Sequence, residues 1–427
     1  MTQTNDATYD LVGVGFGPSN IALAIALEEA NQQNKTINAL FLDKQVKYQW
    51  HGDTITDQSG LQVSFLKDLV TQRNPQSPYT FLNYLKTHDR LIDFINLGTF
   101  CPSRLEFNDY LNWVASHFSE LCSYDNNVTA IHPVYEGSNV TKLKIDTVSS
   151  NGEHHVHFAR SLVFSTGGSP NIPAAFQELR DSARVFHHSH YLSKLSKLAI
   201  DKNRPLKVAV IGGGQSAAEA ILDLNNRYDH GEVDLLFQSD AMRPADSSPF
   251  VNEVFNPSTT NRMFEKSHDE RQRLLTAYKH TNYSAVDADM LDQVYQLFYM
   301  QKITKKQKHS YNPNSQITQA KSVNNKIELT VLNKDLGITT SKQYDLVILA
   351  TGYQRPKNNP ILAPLQEHLG DFTINRNYQV KTGPNFAPPI FVQGLSESTH
   401  GLSDTLLSVL AIRSQEIASA LQHSLKI

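Results

Sequence analysis

The chain has 427 residues, 40% of them hydrophobic, which is enough for a large core and too many for one simple domain, so two or three domains are expected. Its formal net charge of -3 leaves no basic excess of the kind that nucleic-acid or anionic-membrane binding draws on, which argues against those partners. Cys101 and Cys122 are its 2 cysteines and form no C-x-x-C pair, so neither a disulfide framework nor a thiol relay is written here, and any redox chemistry needs a bound cofactor.

The opening segment MTQTNDATYD lacks the basic and apolar regions of a leader, and no run reaches the roughly 18 apolar residues of a spanning helix, so a soluble, cytoplasmic protein is expected. From Tyr9 to Asn20 the chain reads YDLVGVGFGPSN. A strand-like run through Leu11 and Val12 meets Gly13, Gly15 and Gly17, and Pro18 to Ala30 then carries apolar residues at helical spacing, with a proline acceptable in the first turn. Strand, glycine turn and helix is the order in which backbone approaches a pyrophosphate and helix-terminal N–H groups face it. Pro18 stands where the third glycine of the dinucleotide fingerprint would be, followed by Ser19. The next strand, INALFLDK, ends at Asp43 and Lys44, within reach of the roughly 20-residue offset at which an acid accepts ribose hydroxyls. Without that acid, an ordinary α/β turn would explain the glycines equally well.

Further along, PSRLEFNDYLNW reads as the start of an amphipathic helix. SLVFSTGGSPNIP, from Ser161 to Pro173, reads as a strand running into a domain crossing. A second cradle follows in KVAVIGGGQSAAEAILDL: strand Val208 to Ile211, then Gly212, Gly213 and Gly214, then Gln215 and a helix from about Ser216. GEVDLLF is the strand after it. KQKHSYNPNSQ, from Lys306 to Gln316, reads as an exposed loop, and the basic residues from Lys302 to Lys308 as a solvated face. LVILATGYQRP, with Thr351, Gly352 and Tyr353, reads as the return crossing. The 17 histidines are scattered, with no His/Cys cluster at metal-ligand spacing and no Ser-His-Asp or paired-carboxylate set, so no metal is expected.

Two cradles about 200 residues apart resemble the two-dinucleotide flavoproteins, in which one site holds FAD and the other the nicotinamide. The missing C-x-x-C argues against the disulfide reductases of that superfamily, and the Baeyer-Villiger pattern F-x-G-x-x-x-H-x-x-x-W is not found near FHHSHYL. WHGD from Trp50, LQVSFLKDLVTQRNPQSPYTFLNYL from Leu61, FCPSRLEFNDYLNW from Phe100, SSPFVNEVFNP from Ser247, TNYS from Thr281 and HGLSDTLLS from His400 are similar to the N-hydroxylating monooxygenases that make siderophore hydroxamates. From about residue 8 to 420 the chain resembles the L-ornithine N5-monooxygenase family, close to L-lysine N6-monooxygenase, and FLKDL with RNPQSPYTFLNYL is nearer the ornithine branch.

The resemblance implies an α/β fold with two Rossmann-like dinucleotide-binding domains. FAD would occupy residues 1-173 and 346-427, NAD(P)H residues 174-240 and 296-345, and a small helical substrate region residues 241-295. In the implied chemistry NADPH reduces FAD, O2 adds at the flavin C4a, and the terminal amine of the substrate attacks the distal peroxide oxygen. The flavin performs the chemistry and no catalytic side chain is demanded. Gly13, Gly15, Gly17, Pro18, Ser19, Asp43 and Lys44 would hold FAD, with Trp50, His51, Gln62, Arg104 and Asp404 around its ring system and the nicotinamide. Arg104 has an alternative reading, a local pair with Glu106.

Gly212, Gly214, Gln215, Ser216, Gln238, Thr351, Gly352 and Tyr353 would hold NAD(P)H. Lys67 would meet the substrate carboxylate, Asn252 and Asn282 its backbone, and Leu406 and Ser408 the reacting amine. Where relatives carry an arginine for the 2′-phosphate of NADPH this chain has Gln238, which puts the preference for NADPH over NADH in doubt unless Ser239 or Arg243 compensates. L-Lysine, putrescine, cadaverine and histamine are alternative amines, and a non-catalytic NAD(P)-sensing flavoprotein is the alternative outside enzymes. A homo-oligomer is compatible with this reading.

Overall fold

Strand Leu11–Val14 is buried at all four positions, as are Ala39–Leu42 beside it and Leu162–Phe164 on its other side. Continuous apolar strands of this kind suit a parallel sheet covered on both faces. The computed structural model, which describes residues 3–32, 36–57 and 59–427, places them in a five-stranded sheet in the order Ile390–Val392, Leu162–Phe164, Leu11–Val14, Ala39–Leu42, Cys122–Ser123, with every pairing parallel. Helix Pro18–Asn31 follows the first glycine turn and buries Ile21, Leu23, Ile25 and Leu27. The last helix, Leu410–Leu425, packs against it, so late residues of the chain border the first cradle.

A second parallel sheet runs in the order Val185–His187, Leu346–Leu349, Leu206–Ile211, Gly231–Leu236, Ser310–Asn312. Helix Gln215–Arg227 covers it, and helix Ala288–Thr304 packs there through Met290 and Val294. That last helix runs across position 295, where a domain boundary was expected, because its apolar side belongs to the second core. Two accessory sheets adjoin the parallel ones. Gln3–Tyr9 joins Asn127–Glu136, Asn139–Val148 and His154–Ala159, and a three-stranded antiparallel sheet spans Ser315–Val323, Lys326–Asn333 and Ile338–Tyr344.

The two crossings are stitched together. Ser169–Pro170 pairs antiparallel with Tyr353–Gln354, the Asn171 N–H donates to the Gly352 carbonyl at 2.9 Å, and the Thr351 hydroxyl donates to the Asn171 carbonyl at 2.5 Å. After residue 241 come the short helices Pro249–Asn252, Pro257–Glu265 and His268–Ala277, the last two packed on helix Glu397–His400.

The stretch read as an exposed loop is different. Ser310–Asn312 is the edge strand of the second sheet, and His309 is buried. The Ser310 hydroxyl donates to Asp234 at 2.5 Å, a partner that is remote in sequence. Lys308 is not simply solvated either, since its Nζ donates to the carbonyls of Asn225 and Tyr228 at the end of helix Gln215–Arg227. Among the described residues no helix is long and apolar enough to cross a membrane, and no group of three or more His, Cys, Asp or Glu is placed to hold a metal.

Candidate active site

At the first cradle a Cβ on Gly13 would lie 2.3 Å from the Phe41 ring. Gly15 has φ +84°, a region that favours glycine, and a Cβ there would lie 2.6 Å from the Ser165 carbonyl oxygen. Gly17 faces open space, with nothing within 4 Å of where its Cβ would stand. Helix Pro18–Asn31 starts at Gly17 without a side-chain cap, and Pro18 has no N–H to lose; the Asn20 N–H turns inward to the Gly17 carbonyl at 3.0 Å, and no side chain occupies the helix end where an anion would sit. The turn therefore fits a dinucleotide pyrophosphate: tight where protein backs it, open where a ligand would pass.

Asp43 is buried and accepts from the Phe16 N–H at 2.7 Å and the Gln45 N–H at 2.8 Å, bracing the same turn. Each carboxylate oxygen has further lone-pair capacity for a ribose hydroxyl. Lys44 beside it is exposed. Ser19 accepts from Arg413 Nη2 at 2.9 Å, while Arg413 Nη1 donates to the Asp404 carbonyl at 2.5 Å and to Asp404 Oδ1 at 3.1 Å. Sequence reading missed Arg413, although a single cation inside LLSVLAIRS, a run otherwise apolar enough to be core, was the available signal.

Toward the centre of the crevice, rings run in series. The Phe107 and Trp50 centroids are 5.8 Å apart, Trp50 and His51 5.0 Å, His51 and Tyr353 6.3 Å, and Tyr353 and His187 5.2 Å. His51 is open to solvent yet walled by the crevice, and desolvation with the nearby Arg104 and Arg355 charges pulls its imidazole down to about 4. Burial holds His187 at about 4 and His188 at about 3. All three are neutral near pH 7, which leaves the arginines as the cations of this wall.

Gln62 and Arg104, both from the first half of the chain, reach across to helix Gln215–Arg227. Gln62 Nε2 donates to Gln215 Oε1 at 3.1 Å, and the Asp287 N–H donates to the same oxygen at 2.9 Å. Arg104 pairs with the buried carboxylate of Glu219 and donates through Nε to the Gly60 carbonyl at 3.1 Å. Glu106, the local alternative, pairs with Arg90 instead at 3.4 Å, while its backbone N–H donates to the capping Ser103 hydroxyl at 3.1 Å. Burial pushes the Glu219 carboxyl up, with Arg104 the main opposing influence.

The second cradle repeats the first. Gly212 has φ +140°, and a Cβ there would lie 2.2 Å from the Ala350 carbonyl oxygen, so this turn presses on the return crossing. Helix Gln215–Arg227, with Ser216 in its first turn, also begins without a side-chain cap. Gln238 is exposed at the end of the following strand, and its Oε1 lies 3.4 Å from Lys334 Nζ. Neither residue suggested as a compensating partner bonds its side chain to Gln238: the Ser239 hydroxyl donates to the Ala241 carbonyl at 3.1 Å, and Arg243 is exposed without an ion pair among the described residues.

The family model for L-lysine 6-monooxygenase/L-ornithine 5-monooxygenase matches residues 7–355. This chain belongs to that family. Similar proteins include an L-ornithine N(5)-monooxygenase of Pseudomonas aeruginosa, 49% identical over 98% of this chain and 94% of that protein. The solved ornithine hydroxylase of Pseudomonas aeruginosa superposes with TM-score 0.94 at 49% identity, covering 98% of this chain and 100% of that one. An ornithine N-hydroxylase of Kutzneria sp. 744, solved with reduced FAD, NADP+ and L-ornithine, superposes with TM-score 0.92 at 34% identity, over 98% of this chain and 99% of that one.

In this lysine/ornithine monooxygenase chain, three stretches far apart in sequence, those of Lys67, Asn252 and Asn282, meet the segment that carries Leu406 and Ser408, the turns Leu402–Thr405 and Leu407–Val409. Turn Phe65–Lys67 packs on Leu407–Val409, so Lys67 lies next to the element that carries Ser408 and just beyond Leu406. Turn Glu253–Phe255, directly after Asn252, packs on Leu402–Thr405. Tyr283, next to Asn282, reaches Thr405 at 3.4 Å and donates to Glu397. Lys67 is partly buried, with no ion pair among the described residues, and burial lowers its ammonium from the ordinary range. The Asn252 amide donates to the Ser247 carbonyl at 3.0 Å, and Ser408 is buried.

Proposed function

We propose that this chain is an FAD-dependent N-hydroxylating monooxygenase that uses NADPH and O2 to convert the side-chain amine of L-ornithine to the hydroxylamine, for hydroxamate siderophore biosynthesis. The observation that carries the reading is the placement of Lys67, a partly buried ammonium without an ion pair among the described residues, beside the Ser408 turn and next to a crevice bordered by two dinucleotide cradles. The names of the similar proteins support ornithine as the amine.

In this reading Gly13, Gly15, Gly17, Ser19 and Asp43 hold the pyrophosphate and ribose of FAD, and Gly212, Gly214, Gln215 and Ser216 those of NADPH. Residues 1-173 and 346-427 are the flavin part, the second parallel sheet is the nicotinamide part, and the short helices from 241 supply substrate contacts. When bound, reduced FAD supplies the activation of O2 for transfer of one oxygen atom to nitrogen. The side chains have the other tasks. Lys67 binds the amino-acid carboxylate, which a fixed cation stabilises most where water is scarce. Asn252 and Asn282 orient the α-amino and carboxylate groups, since an amide donates and accepts. Ser408 and the Leu406 carbonyl hold the reacting amine, which attacks only as the free base. Trp50, the neutral His51 and Tyr353 line the crevice without adding charge that would compete for the substrate.

The test is a panel of L-ornithine, L-lysine, putrescine, cadaverine and histamine, with hydroxylamine product measured directly. Nicotinamide consumption is a poor readout, because uncoupled peroxide release also consumes it. The purified protein should be yellow with one FAD, and L-ornithine should give the highest kcat/KM. A colourless protein that reconstitutes no flavin, or a diamine as the best substrate, contradicts the proposal.

A further inference from the structure

The second cradle departs from its usual pattern at the position that reads the adenosine ribose. In a nicotinamide-binding βαβ unit, the residue at the end of the second strand is an acid where a ribose 2′-hydroxyl is bound, and an arginine nearby accommodates a 2′-phosphate. Strand Gly231–Leu236 is followed by Phe237 and then Gln238, which is neither. Phe237 stands against the glycine turn, 3.1 Å from where a Cβ of Gly213 would be, so Gln238 follows directly on the residue that contacts the phosphate-binding loop.

A cation is nevertheless present. Lys334 sits in the turn between strands Lys326–Asn333 and Ile338–Tyr344, and its Nζ lies 3.4 Å from Gln238 Oε1. That turn is fastened to the strand end. The Lys334 N–H donates to the Asn314 carbonyl at 2.9 Å, the Asn314 N–H to the Ser239 carbonyl at 3.1 Å, and the Ser315 N–H to the Phe237 carbonyl at 2.8 Å. The acid beside Lys334, Asp335, accepts from the Asn314 amide at 2.6 Å. Lys334 itself is exposed and has no ion pair among the described residues, so its charge is available to a ligand.

We infer that Lys334, presented by the accessory antiparallel sheet and steadied by Gln238, receives the 2′-phosphate of NADPH and supplies the positive charge that position 238 lacks. An ammonium is a compact point charge with three donors, so it can bond Gln238 and a phosphate oxygen together. NADPH preference is therefore kept, with its cation moved from the strand end to a neighbouring hairpin. The inference rests on the proposed use of the second cradle for a nicotinamide dinucleotide.

The test is direct binding to the oxidised, FAD-loaded enzyme by titration calorimetry, with NADP+ against NAD+ and 2′,5′-ADP against 5′-AMP. Lys334→Ala should weaken NADP+ and 2′,5′-ADP by about tenfold or more, the scale of one charge-assisted contact, and leave NAD+ and 5′-AMP unchanged. Lys334→Arg should retain the discrimination, and Gln238→Arg placed in the Lys334→Ala background should restore it. Equal losses for both members of a pair, or undiminished 2′,5′-ADP binding by Lys334→Ala, overturn the inference and leave the hydroxylase reading standing. Failure of the unmutated enzyme to bind either dinucleotide overturns both.

Discussion

Arg104 Nη2 lies 2.8 Å from Glu219 Oε1, and Arg104 Nη1 lies 3.2 Å from Glu219 Oε2, a two-point ion pair that ties the start of helix Arg104–His117, in the first half of the chain, to the helix of the second cradle. Glu219 has no exposed side-chain surface, and Arg104 retains 17% of its own. The pair holds the second cradle's helix against the part of the chain that also carries Gln62, a fixed relation of the kind that transfer between two bound dinucleotides requires.

Removing one partner of this pair leaves a buried charge without compensation. Glu219→Ala is expected to cost about 3 to 5 kcal/mol, seen as a lowered thermal midpoint, whereas the Arg104→Ala, Glu219→Ala double variant should cost less than the sum of the singles. A midpoint unmoved by Glu219→Ala would mean that solvent screens the pair.

Gly15 and Gly17 of the first cradle should separate folding from flavin binding. Gly17 has open space where a Cβ would go and φ -78°, so Gly17→Ala should leave the stability of the flavin-free protein within about 0.5 kcal/mol while weakening FAD. Gly15→Ala should destabilise the protein itself, through its positive φ and the Ser165 carbonyl. Melting curves of the flavin-free proteins, together with FAD fluorescence titrations, read both effects. Normal FAD affinity in Gly17→Ala would remove the pyrophosphate from that turn.

Lys67→Ala tests the carboxylate contact. The loss should fall on the KM for L-ornithine, with kcat/KM down roughly a hundredfold, because the contact is alike in ground and transition states. Flavin reduction by NADPH should stay near normal. Putrescine, which has no carboxylate, should lose little or gain. Intact ornithine turnover in the variant would make Lys67 a structural residue.

His309 should contribute to acid sensitivity. Its Nδ1 accepts from the Val233 N–H at 3.1 Å, so the proton sits on Nε2, which donates to Asn225 Oδ1 at 3.1 Å. Burial, aided by the Lys308 charge, holds the ring at about 4 against an ordinary 6.5. A depressed histidine favours the fold above its unfolded value, and that contribution is lost as pH falls from 6.5 towards 4, up to about 3 kcal/mol. His309→Gln should flatten the stability profile across that window in denaturant titrations at stepped pH. An unchanged slope would show that the loss comes from other groups, His187 and His188 first.

The glycine turns, their helices and the two crossings were legible in the sequence because each is a local device: strand, glycine and helix must follow one another for backbone to meet a phosphate. The motifs around Lys67, Asn252, Asn282 and Ser408 were legible by family resemblance, and only the fold brings their elements to the Leu402–Val409 segment. Partners of polar side chains were not legible. Arg104 chose Glu219, 115 positions away, over Glu106 two positions away, Gln238 met Lys334, 96 positions on, and the polar run around Ser310 became a sheet edge because Asp234 and the Leu236 strand offered it bonds. Apolar periodicity records which face of an element is buried. A charge or an amide leaves no such pattern, since its partner is whatever packing delivers within about 3 Å of it.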